Sequence, residues 1–334
     1  MDKFIFTCGD TNGIGPEISL KAIDKLYAPK KYKLIIPIPL NVFEFYADKV
    51  KFKFPFNIVK KIDETGFNSD AVTIFDLGNV KMDVGKPTRF SGRVSYRSIL
   101  TANKLLTTNF CSAIITAPIS KFAWQKAGIN FPGHTELLAD LTKTKKYSMM
   151  FLSQKFKCAL ATIHEPISKV PKLITKTKLL DLINLVADTS LNDLNISSPK
   201  IAVLGLNPHA GENGKIGSEE INKIIPAIEK AVHKGIHLDG PYVPDAFFAN
   251  KLYLKYDIVI GMYHDQLLIP FKMMNFNSGV NYTAGLPIIR TSPDHGTAYD
   301  IAGTINADIT SMVESFKWAR RISNNRKNNF KNGK

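Results

Sequence analysis

Short runs of consecutive apolar and β-branched residues alternate along this chain with longer stretches whose apolar residues recur at helical spacing. That alternation limits the fold more than any other feature. Residues 4–8, 34–38, 113–116, 158–163, 201–206 and 258–262 read as buried strands. Residues 16–26, 96–106, 173–188, 219–233 and 307–323 read as helices. Strands alternating with helices imply parallel sheets covered by helices, and nearly continuous apolar strands suit sheets buried on both faces. With 334 residues the chain has room for two α/β lobes, or for one large domain with a cleft. It contains no internal repeat and no low-complexity linker, so two lobes would be joined by continuous structure.

Composition narrows the function classes. Lys and Arg number 44 against 29 Asp and Glu, a formal charge of +15, which attracts nucleic acid, acidic membrane surfaces or small anions. The lysines are scattered, however, and only residues 320–327 resemble a basic arm, expected to be a frayed tail. No zinc-finger spacing or aromatic RNA-binding signature accompanies them, so no nucleic-acid partner is expected. No run near 18 apolar residues is present, and neither a membrane span nor a secretory signal is expected. Cys8, Cys111 and Cys158 form no even set and no C-x-x-C pair, which suits the reduced thiols of a cytoplasmic protein.

Chemistry concentrates where the expected strands end, as in open α/β sheets generally. Three of the seven histidines follow strands directly: His164 after Thr162-Ile163, His209 after Asn207-Pro208, and His264 after Met262-Tyr263. Three imidazoles from three strand ends can converge on a metal and leave positions open for substrate. The alternative is three unrelated hydrogen-bonded histidines. His233 and His237 lack such context and read as surface residues.

Arg290 closes a short apolar run within a segment dense in Gly, Ser, Thr and Pro, with Lys272 upstream, and this pattern reads as an anion pocket. In Pro132-Gly133-His134-Thr135-Glu136, Thr135 is the expected N-cap of a helix whose free N–H groups would suit phosphate. Gly13-Ile14-Gly15 after the first strand lacks the third glycine of a dinucleotide fingerprint and reads as a cleft wall, with Asp10 as a polar contact. Asp245 precedes an apolar helix; it reads as a cap or as a proton acceptor near a metal.

Taken together, these stretches resemble the 4-hydroxythreonine-4-phosphate dehydrogenase family of pyridoxal phosphate biosynthesis. The matching residues are Gly13-Ile14-Gly15-Pro16-Glu17, Thr116-Ala117-Pro118-Ile119, Gly133-His134-Thr135-Glu136, Asn207-Pro208-His209-Ala210-Gly211-Glu212, Tyr263-His264-Asp265-Gln266 and residues 285–302. The resemblance implies two α/β/α lobes with a central cleft, isocitrate/isopropylmalate dehydrogenase-like and non-Rossmann. The first lobe would comprise residues 1–125 with 285–334, and the second residues 126–284.

The resemblance also implies a homodimer with its active site at the interface. It assigns a divalent metal (zinc, magnesium or cobalt) to His164, His209 and His264. Substrate contacts go to His134, Thr135, Lys272, Asn281 and Arg290, and NAD or NADP goes to the loop of Asp294, His295, Gly296 and Thr297. Lys272 and Asp245 are the catalytic candidates for taking the hydroxyl proton, with a metal-bound water as the alternative. The substrate would be 4-phosphohydroxy-L-threonine, oxidised at C3 and decarboxylated. A paralogous activity on 4-phospho-D-threonate or D-erythronate phosphate is the alternative, and a basic nucleic-acid-binding protein is the rival from another class. One departure stands out. Thr11 and Asn12 occupy positions where the family has Pro-Ala, which is expected to loosen the first loop.

Overall fold

The computed structural model describes residues 1–61 and 70–331. The chain divides into two compact units, Met1–Lys143 with Leu286–Ser323, and Thr144–Gly285 with Asn324–Lys334.

In the first unit, β1 (Asp2–Phe6), β2 (Tyr32–Ile38), β3 (Phe56–Val59), β4 (Val72–Asp76), β5 (Ala113–Ile115) and β12 (Arg290–Pro293) run parallel in the order β3-β4-β2-β1-β5-β12. Helices α1 (Gly15–Leu26), α2 (Leu40–Val50), α3 (Arg89–Thr107), α4 (Lys121–Lys126) and α5 (His134–Leu141) connect them. Pro16 lies in the first turn of α1, where its missing N–H costs nothing. A reciprocal capping box starts α3: Ser91 N donates to Thr88 Oγ1, and Thr88 N donates to Ser91 Oγ. The strand order turns between β1 and β5, so their C-terminal loops meet at a topological switch point. The apolar run before Arg290, expected to be a strand ending there, instead leads into β12, which begins at Arg290. Pro287 has no N–H to give a ladder, so pairing starts only where Ile289 O accepts Ile114 N.

The second unit holds β6 (Ser148–Leu152), β7 (Lys157–Leu160), β8 (Ile201–Leu204), β9 (Leu238–Tyr242), β10 (Ile258–Gly261) and β11 (Val280–Ala284), in the order β11-β6-β7-β10-β8-β9. β7, β10, β8 and β9 are parallel neighbours, as expected. β6 differs, running antiparallel to both β7 and β11. Only residues 153–156 separate β6 from β7, too few for a crossover. Ser153 closes that hairpin, its Oγ accepting from Phe156 N at 2.9 Å and donating to Phe156 O at 2.8 Å.

Helices α6 (Val170–Leu173), α7 (Lys176–Asn192), α8 (Ile225–Val232), α9 (Pro244–Ala249) and α10 (His264–Asn275) complete the unit, and a π-helical turn at Glu220–Ile224 precedes α8. Phe271 is fully buried, its ring 5.5 Å from Phe151 and 6.1 Å from Phe156, which fixes α10 on the sheet.

Helix α11 (Thr310–Lys331) gives its first turns to the first unit and its end to the second. The basic stretch expected to fray is therefore helical. Within the second unit Arg326 grips Asp193, Nε to Oδ1 at 2.6 Å and Nη2 to Oδ2 at 3.2 Å. Tyr282 OH donates to Asp193 and accepts from Arg326 Nη2 at 3.1 Å. Burial and the neighbouring Asp193 carboxylate push the Tyr282 hydroxyl pKa up, so it stays protonated. Replacing Arg326 with Leu would leave the Asp193 carboxylate buried without its cation. We expect a loss of about 3 kcal/mol, read as a shift in the urea unfolding midpoint, with partial recovery when Asp193 is also replaced by Leu.

Candidate active site

Two groups of the expected site residues stand out, one in each unit. In the second unit β7, β10 and β8 are adjacent and parallel, so their carboxyl ends open on one edge. His164 lies beyond β7. His264 is the first residue of α10, separated from β10 by Met262 and Tyr263. Their rings are 5.5 Å apart between centroids. His264 Nδ1 and Asp265 Oδ1 are 2.6 Å apart, a contact that orients the ring and leaves Nε2 for a ligand. Donor chemistry and strand placement therefore suit a divalent metal. Among the described residues no three His, Cys, Asp or Glu side chains are arranged to hold one, so His209 is not brought into that pair.

His209 opens a stretch in which five consecutive residues are left-handed: His209 at φ 52°, Ala210 at 49°, Gly211 at 79°, Glu212 at 41° and Asn213 at 53°. His164 has φ 49° as well. Each non-glycine residue there costs roughly 1–2 kcal/mol. Such strain persists only when surrounding contacts impose it, and it clusters at functional sites.

Asn281 lies on β11, opposite Phe151 of β6, and its Oδ1 is buried without a hydrogen-bond partner. Lys272 is exposed on α10. Asp245 sits in the first turn of α9 and is exposed; no side-chain cap bond forms there, so it is no cap.

In the first unit Arg290 is 3% exposed, and its Nε donates to Thr116 Oγ1 at 2.9 Å. Burial pushes the guanidinium pKa down to about 10, opposed by nearby Glu136, so Arg290 remains charged at neutral pH. His134 is the first residue of α5, capped by Gly133. Thr135 thus falls inside the helix rather than capping it, and it is buried. The His134 ring meets Trp124 edge-on at 6.0 Å, and Trp124 Nε1 donates to Ser95 Oγ at 2.8 Å. Its Nε2 is buried with no partner. A buried cation, a helix start and an imidazole nitrogen without a partner are groups suited to an anion.

The loop of Asp294, His295, Gly296 and Thr297 packs on the first loop through its backbone. Ile14 N donates to Thr297 O at 2.9 Å, and a Cβ on Gly13 would come within 2.7 Å of that oxygen. Asp10 is fully buried and accepts from Asn12 N, Ser91 Oγ and Tyr299 OH, each at 3.0 Å. Burial raises its pKa despite these bonds. Ser91 and Tyr299 were not singled out from the sequence, and nothing in their local pattern marks them.

Nor does the departure at Thr11-Asn12 loosen the loop. Asn12 accepts from Asp83 N at 3.0 Å and donates to Lys86 O at 2.8 Å and Thr88 Oγ1 at 3.3 Å, tying in residues 83–88.

Burial first, and Arg290 second, lower the His134 pKa well below 6.5. The folded state therefore binds fewer protons than the unfolded chain once pH drops below that value. The stabilisation is complete above about pH 6.5 and is lost as pH falls toward the folded pKa. In His134→Gln the drop in unfolding free energy between pH 7 and pH 5.5 should shrink; an identical drop in both proteins would contradict the buried neutral imidazole.

The family described as pyridoxal phosphate biosynthetic protein PdxA matches residues 31–319. A 4-hydroxythreonine-4-phosphate dehydrogenase of Trichlorobacter lovleyi is 41% identical over 96% of this chain and 97% of its own. A D-threonate 4-phosphate dehydrogenase of Salmonella typhimurium is 38% identical over 95% of this chain and 98% of its own. The crystal structure of a 4-hydroxythreonine-4-phosphate dehydrogenase from Klebsiella pneumoniae superposes with a TM-score of 0.83 at 35% identity, covering 97% of this chain and 100% of that one. Isocitrate dehydrogenase from Methylococcus capsulatus, at 12% identity and a TM-score of 0.50 over 98% of this chain and 87% of its own, shares the fold. With these matches spanning nearly its whole length, the chain belongs to the PdxA family.

Proposed function

We propose that the protein oxidises 4-phosphohydroxy-L-threonine at C3 with NAD or NADP, and that the resulting β-keto acid loses carbon dioxide to give 3-amino-2-oxopropyl phosphate. The observation that carries this reading is the pair of buried, unpartnered polar atoms, His134 Nε2 and Asn281 Oδ1, on residues expected to meet substrate. When bound, a divalent cation would polarise the C3 hydroxyl and stabilise the enolate of decarboxylation, while the nicotinamide would accept the hydride.

Arg290, with His134 and Thr135 at the start of α5, holds the phosphate. Asn281 and Lys272 orient the amino-acid end, and His164, His209 and His264 would be the metal ligands, although the fold brings only His164 and His264 close together. Asp245 or Lys272 takes the hydroxyl proton. Asp294, His295, Gly296 and Thr297 receive the dinucleotide. The setting is cytoplasmic, which three buried cysteines outside any disulfide suit.

The same groups would also serve 4-phospho-D-threonate; the 38% identity to the Salmonella enzyme fits that reading, but no better than the 41% identity fits the first. Steady-state NADH formation with each substrate and a panel of metals separates the two. Arg290→Ala should raise KM for the phosphorylated substrate about 10- to 100-fold, the loss of a charged hydrogen bond; an unchanged KM removes Arg290 from the phosphate site.

A homodimer is part of this reading. On α10 and its cap, Ile269 is 58% exposed, Met273 82% and Phe276 83%, an apolar stripe beside Lys272 on the helix that carries His264. Met273→Glu should shift the protein toward monomer in sedimentation analysis and lower kcat; a dimer undisturbed by that charge places the interface elsewhere.

A further inference from the structure

No hydrogen bond from Nε2 sets the plane of the His134 ring, because that buried nitrogen has no partner among the described residues. The outer torsion of a histidine is broad and roughly two-fold, and a half-turn would put carbon where Nε2 stands. Packing must therefore choose the orientation, and Trp124 lies edge-on to the ring at 6.0 Å.

Trp124 is itself fixed on every side. It is fully buried, and its Nε1, which can only donate, reaches Ser95 Oγ at 2.8 Å. Ser95 gives its own proton to Gly92 O at 2.9 Å, so its Oγ is left to accept. An indole turned over would strand Nε1 in the core without an acceptor, which is costly. Tyr96 meets the same indole edge-on at 6.0 Å. The backbone is held as well: Trp124 N donates to Ser120 O at 3.0 Å, and Trp124 O accepts from Ala127 N and Ile129 N, each at 2.9 Å. Ser120 caps α4, its Oγ accepting from Ala123 N at 3.1 Å. A Cβ on Gly92 would come within 2.2 Å of Ala123 O, so a glycine there lets α3 and α4 approach closely. Arg290 is near enough to act on the charge of His134, so a ligand reaching Nε2 also meets a buried cation.

We propose that Trp124, pegged by Ser95, is a positioning residue that holds the His134 imidazole with Nε2 presented to a phosphate. That this group is the substrate's phosphate rests on the proposed function; the peg itself does not.

The test uses full-length Trp124→Leu and Ser95→Ala variants, with inorganic phosphate as the probe in calorimetric titration. Affinity should fall about tenfold in Trp124→Leu and about threefold in Ser95→Ala, as when a hydrogen bond to an anion is weakened. Phe316→Leu is the control: Phe316 is an equally buried ring of the same unit, packed on Phe4 at 5.0 Å and Phe6 at 5.9 Å. It should lower the unfolding midpoint and leave phosphate affinity at the parental value. Equal losses of affinity in all three variants, or unchanged affinity in Trp124→Leu, overturn the proposal.

The ring is read directly in protein carrying ¹³C-histidine, where the His134 C–H resonance is assigned by its disappearance in His134→Gln. Ser95→Ala keeps the indole and its ring current but removes the acceptor, so this resonance should shift or split. An unmoved resonance overturns the peg. If the parent binds no phosphate, the phosphate reading falls and the resonance alone decides the peg. If Trp124→Leu does not fold, Ser95→Ala carries both measurements.

Discussion

The parallel register of β7, β10 and β8 is the constraint on which the chemistry of the second unit depends. Val259 lies opposite Cys158, and Ile258 opposite Ile201, in strands buried on both faces. No polar side chain can enter such strands without an unmet desolvation cost. Polar function is therefore displaced to the first residues beyond the last paired backbone groups. Because the strands are parallel, those residues emerge on a common edge. Beyond those exits the backbone is hydrogen-bonded by the buried amide of Gln266 and carboxylate of Glu220.

Strain shows why such anchoring is needed. Four non-glycine residues in a row around Gly211 adopt the left-handed conformation. A free segment would relax toward right-handed geometry at once. The turn is held because its flanking N–H groups are pinned to Glu220, and because only glycine fits at the point where backbone meets carboxylate. Pinning of this kind keeps the backbone at His209 in one conformation.

Much of this was legible in the sequence, for a physical reason. All six apolar runs read as strands are strands, because burial on both faces writes itself as uninterrupted hydrophobicity. β3, β9 and β11 are less uniform: β3 alternates exposure, and Asp239-Gly240-Pro241 and Asn281 interrupt the other two. Helix α10 was missed because its histidine, proline and alternating apolar face obscure the helical period. The histidines were found by their place after strands, which depends only on local pattern. Ser91, Tyr299, Gln266 and Glu220 were not, because each acts through partners distant in sequence, such as Tyr299 on Asp10 and Gln266 on Gly205.

The Arg290–His134 pair of the first unit follows a different logic. Burial alone would favour losing charge at both Arg290 and His134, yet their intrinsic pKa values differ so widely that only the histidine gives up its proton. The pair therefore offers one fixed positive charge and one neutral ring, and each favours that division in the other. Neutrality leaves the imidazole able to donate from Nε2 in the matching tautomer without adding a second buried cation. A phosphate meeting Arg290 and Nε2 would offset the desolvation of the first and supply the absent partner of the second. Both costs are built into the folded unit, so the binding free energy of a phosphate would include their relief, which an uncharged isostere could not provide.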